Sequence, residues 1–101
     1  MSAQRASAQR IRVSYDTKGD VMYLSLGPPV PASSESRSRG ILLRYNDVSD
    51  APCGVTVLSF SHNGWDEHIE ELAKVVADHL SIERSEVFEA LHNSEVGALH
   101  G

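Results

Sequence analysis

Of the six arginines in the first half of the chain, five lie beyond the N-terminal stretch, Arg10 and Arg12 close together, then Arg37, Arg39 and Arg44. Guanidinium groups in such numbers can neutralise phosphates or pair with carboxylates. Arg10 and Arg12 alternate with Ile11 and Val13, and Arg44 sits between Leu43 and Tyr45. If the odd-numbered residues of these stretches face a core, Arg10, Arg12 and Arg44 share the opposite face of a sheet. That is the most serious functional feature of the sequence. Against a nucleic-acid partner stand a net charge of -5 and the absence of a recognisable nucleic-acid motif. Such arginines also pair readily with acids on a protein.

Other reactive side chains read as structural. Asp16 and Asp20 flank a turn and could begin an oxygen site for a cation, but Asx capping of the turn needs nothing further. The chain has five histidines. His68 and His79 are eleven residues apart on a helical pattern, about 16 Å along its axis, too far to share an ion. His62, Asp66 and His68 match no paired metal spacing, so the histidines read as solvated polar-face residues and no metal site is assigned. Cys53, the single cysteine, precedes Gly54 at the start of an apolar run and reads as a small core residue. With no G-x-S-x-G elbow, Walker loop or G-x-G-x-x-G run, no catalytic residue and no cofactor is assigned, and the expectation is a protein that is not an enzyme.

The elements that would position these residues follow from periodicity. Arg10 to Asp16 alternates as a half-buried strand, and TKG leads to a second strand, DVMYLSL, with Met22, Leu24 and Leu26 on one face and Val21 and Tyr23 on the other. GPPVPASSESRSRG is a loop, with room for a short edge strand over Ala32 to Ser36. ILLRYN and CGVTVLSFS, the latter from Cys53 to Ser61, supply two further strands. The period then changes to 3.6: Trp65, Ile69, Leu72, Ala73, Val76, Ala77 and Leu80 form one stripe, with Asn63 as its N-cap. A short second helix spans Arg84 to His92, with Val87, Phe88 and Leu91 inward and Ile82 packing ahead of it. The predicted class is α+β, an antiparallel β-meander of four to five strands with the long amphipathic helix packed on one face and the short helix at the C-terminal side. Residues 10–92 form one domain, 10–61 the sheet and 65–92 the helical tail, between a disordered tail at 1–9 and a frayed end at 93–101.

At 101 residues and 41% hydrophobic content the chain suits a single small core, for which self-association is a natural supplement. Residues 1–50 carry seven basic and five acidic side chains, residues 51–101 two and nine. The acidic tail argues against reading its two helices as a DNA-binding helix-turn-helix. One cysteine fits a reducing cytoplasm, and no apolar run approaches the roughly 20 residues of a membrane span.

Taken in order, Tyr15-Asp16, Gly19 to Leu26, Gly40 to Asn46 and Gly54 to Leu58 resemble the prokaryotic family called domain of unknown function 2283. The resemblance covers about residues 11–62 and rests on core and turn residues. It implies a small β-meander, brings no catalytic assignment, and suggests an antitoxin-like partner role. The chain departs from the family pattern in its Ser-rich central loop and its helical tail. The functional expectation is a protein-protein interaction module that self-associates as a homodimer, with Arg12, Tyr23 and Arg44 near the contact. A hetero-protein partner of the antitoxin kind and weak nucleic-acid binding stand behind it.

Overall fold

A computed structural model describes residues 11–92. The expected tails at 1–9 and 93–101, and Arg10, lie outside the described residues. Five strands, β1 (Ile11–Asp16), β2 (Val21–Leu26), β3 (Ala32–Ser36), β4 (Ile41–Asn46) and β5 (Pro52–Val57), precede two helices, α1 (Ile69–Leu80) and α2 (Arg84–His92). The expected α+β class therefore holds, and the Ser-rich stretch does form a fifth strand.

All pairings are antiparallel, and the strand order is β1-β2-β5-β4-β3. The order departs from a plain meander at one connection. β2 pairs with β5, not β3, so the proline-rich segment after β2 carries the chain to the far edge of the sheet. The physical reason lies in composition. β5, with Val55, Thr56 and Val57, buries both faces and takes the centre, whereas β3, ASSES, has little to bury and takes the edge.

Alternation assigns the faces. Ile11, Met22, Leu24, Ile41, Leu43, Val55 and Val57 all point to the helical side and are buried with Phe60, Trp65, Leu72, Val76, Leu80, Val87 and Leu91. α1 packs over β5 and α2 over β1, so one layer of helix covers one face of the sheet. Burying each large side chain of this kind is worth about 1.5 to 3 kcal/mol.

Two boundaries differ from the sequence reading. β5 ends at Val57 rather than Ser61, because Leu58 to Gly64 fold into turns that bury Phe60. α1 starts at Ile69, and Asn63 is not its N-cap. Gly64 takes a left-handed φ of 83°, Trp65–Glu67 form a separate 3-10 turn, and His68, at φ -134°, breaks the path before α1 begins. The Asn63 side-chain amide instead donates to the Leu58 and Arg39 carbonyls, both at 3.2 Å. The stripe from Trp65 to Leu80 is still buried, except that Ile69 is half-buried.

Candidate functional site: the open face of the sheet

Because both helices lie on one face, the even-numbered residues of β1 and β4 stand on the other. Strand register arranges that face in three rows across the strands. A central row runs Ser14, Tyr23, Thr56, Leu42, Ser36. On one side of it lies the row Arg12, Ser25, Gly54, Arg44, Ser34. On the other side Asp16 faces Val21, and Leu58, one residue beyond the Met22–Val57 pair, donates its N–H to the Gly40 carbonyl at 2.8 Å, giving Asp16, Val21, Leu58, Gly40.

Arg12, Tyr23 and Arg44 are thus on one face, as expected. Arg12 and Arg44 share a row but are three strand steps apart, about 14 Å, so they act as separate flanks. Tyr23 is 42% exposed and Leu58 41%, two of the three large apolar residues left exposed among the described residues. Val21 and Leu42 beside them are half-buried. Thr56, with no helix above it, is only 7% exposed, because its neighbours on β2 and β4 crowd it.

Gly54 shapes this face for a backbone reason. A Cβ there would come within 2.7 Å of the Leu24 carbonyl oxygen, so the central strands approach too closely for a side chain. No side chain stands between Ser25 and Arg44 in this row, and Gly54 itself is buried beneath its neighbours.

The two turn aspartates do not converge on a common point. Asp16 accepts from the Lys18 N–H at 3.1 Å. The Asp20 carboxylate accepts from the Tyr15 hydroxyl at 2.6 Å, the Ser61 N–H at 3.0 Å, the Ser61 hydroxyl at 2.9 Å and the His62 N–H at 3.2 Å. Burial pushes this carboxyl up, but the hydrogen bonds from Tyr15, Ser61 and His62 outweigh it and hold its pKa down to about 2. The same Asp20 bond, followed by burial, pushes the Tyr15 hydroxyl up. Asp20 is a latch between the β1–β2 turn and the segment after β5.

On the helical side, a groove of about 700 Å³ runs between β4 and α1, over Leu43, Tyr45, Trp65, Val75, Asp78 and His79. Sequence reasoning missed it, since it exists because α1 and α2 cover β5 and β1 but leave the β4–β3 end of the sheet open. His79 is not a solvated polar-face residue. Its Nε2 donates to the Arg44 carbonyl at 3.1 Å and its ring meets Tyr45 edge-on, centroids 5.0 Å apart. Pro52, opposite Tyr45, has no N–H, and the register slips between Arg44 and Tyr45, so the imidazole serves a sheet carbonyl at an irregular point. Two arginines at the rim are paired with acids, Arg39 with Glu71 at 3.4 Å and Arg37 with Glu35 at 3.3 Å. The Arg39 guanidinium also covers the Trp65 ring, 4.1 Å from its centroid.

Among the described residues no group of three or more His, Cys, Asp or Glu is placed to hold a metal ion, no buried side-chain N or O atom lacks a partner, and no helix is long and apolar enough to cross a membrane. Compared with family models, with curated proteins and with solved structures, the chain gives no match.

Proposed function

We propose that the protein is a protein-protein interaction module that self-associates through the open face of its sheet. The observation that supports this reading is the strip of Val21, Tyr23, Leu42 and Leu58, which no other described residues cover, flanked by Arg12 and Arg44. An aromatic and aliphatic centre with arginine at its margin is the composition of interface cores. Five strands at about 4.8 Å and six residues at about 3.3 Å give a face about 24 Å by 20 Å. That is about 480 Å² per partner, near the roughly 1,000 Å² total at the low end of specific interfaces. Phosphate binding has weaker support, because the two arginines stand far apart on a chain of net charge -5.

Light scattering on the purified chain tests the reading. Tyr23→Glu places a charge in the middle of the face and should lower the solution mass to that of a monomer, with an unchanged circular dichroism spectrum. An unaltered assembly in this variant would remove the open face from consideration.

A further inference from the structure

Resting on that reading, we infer that the occupant of the open face is a second copy of the chain, related by a two-fold axis that runs across the strands along the row Ser14, Tyr23, Thr56, Leu42. Residues on such an axis meet their own counterparts. Residues of the two flanking rows are exchanged, so each member of one row meets the member of the other that lies on the same strand.

On β1, β2, β5 and β4 the exchanged positions are then complementary. On β1, Arg12 faces the second copy's Asp16, and Asp16 faces its Arg12, so the edge of the interface carries two opposite-charge pairs. On β2, Val21 faces Ser25, a larger side chain over a smaller one. On β5, Leu58, 41% exposed, faces Gly54, which has no side chain to oppose it. At the β4 position, Arg44 faces Gly40, again a long side chain over none. Along the axis Tyr23 and Leu42 meet themselves, which places the apolar strip at the centre.

An axis along the strands does not have this property. Placed between β2 and β5, it would exchange β1 with β4 and set Arg12 against Arg44, like charge on like, with Leu58 over Val21; placed on β5, it would exchange β1 with β3 and leave Arg12 over Ser34 with no acid opposite. Sheets packed face to face are about 10 Å apart and cross at about 30°, which displaces the edge pairs by about 5 Å, within the reach of an arginine side chain.

Light scattering of the full chain over a dilution series, with Arg12→Asp, Asp16→Arg, the double variant Arg12→Asp/Asp16→Arg, Leu58→Asp and Tyr23→Glu, tests this arrangement. Each single charge reversal sets like charges together in both pairs at the β1 edge and should raise the dimer dissociation constant by about tenfold or more. The double variant should return it towards the wild-type value, because the pair is restored in reverse, and Leu58→Asp should dissociate the dimer. Dissociation by Tyr23→Glu without an effect of the charge reversals, or without rescue in the double variant, overturns the two-fold arrangement and leaves the open-face reading standing. A monomeric wild-type chain, or a dimer indifferent to every one of these substitutions, overturns both. All four positions are exposed at the surface, and circular dichroism checks that each variant retains its secondary structure.

Discussion

Asp20 combines a left-handed backbone, φ 58°, with a carboxylate that binds groups forty residues away in sequence. Both properties suit aspartate, whose short side chain tolerates that conformation and whose charge strengthens the bonds to Ser61 and His62. Because its folded-state pKa of about 2 lies below the ordinary value of 3.8, the unfolded chain binds the proton first as pH falls. The latch therefore contributes fully above pH 4 and is lost between pH 4 and 2. Asp20→Asn keeps the shape and the tolerance for positive φ but removes the charge. It should cost about 1.5 to 3 kcal/mol at neutral pH and flatten the acid limb between pH 4 and 2 in a urea titration. A wild-type acid limb in this variant would show that other carboxylates govern acid unfolding. The histidines show why residue type alone was a poor guide: His79 became a donor to a strand carbonyl through a packing contact between α1 and β4.

At the scale of elements, the turn between β3 and β4 places Arg39 at φ 59° and Gly40 at φ 79° in succession. A Cβ at Gly40 would meet the Leu58 carbonyl at 2.3 Å, so glycine is required for conformation and for space. The turn also supplies the Arg39 carbonyl to the Trp65 indole N–H at 2.9 Å, which ties the start of the helical layer to the sheet. Gly40→Ala should therefore destabilise the fold by about 2 to 4 kcal/mol, read as a lower urea midpoint. Since Trp65 is the single tryptophan and is buried here, its fluorescence should report the same transition. The strands and α2 were legible from alternation and from the apolar triplet Val87, Phe88, Leu91. The start of α1 was not, because Asn63 has the chemistry of a cap but is used to close the β5 connection.

For the whole molecule, among the described residues one helical layer covers one sheet face and leaves the other open. Small domains bury a modest fraction of their surface, and a second copy on the open face would add to it. Folding and association are then linked, and the melting temperature of the wild-type chain should rise with protein concentration. In Tyr23→Glu the dependence should vanish while the melting temperature at low concentration stays close to wild type. A concentration-independent wild-type melting curve would speak against self-association at this face.

Alternation of period two and the change to 3.6 after Gly64 sufficed to place Arg12, Tyr23 and Arg44 on strands, to assign α+β, and to outline nearly all of the core, because those patterns are local consequences of backbone geometry. They could not choose strand order. The sequence is equally compatible with β2 beside β3, and the centre of the sheet was decided by which strand had two faces to bury. Nor could they choose the covered face. That choice belongs to the packing of α1 on β5 and α2 on β1, and it is what gathers Arg12, Tyr23, Arg44, Asp16 and Leu58 on one surface. The close strand approach at Gly54 and the latch at Asp20 are likewise tertiary, since each depends on a backbone approach or a hydrogen bond between segments distant in sequence.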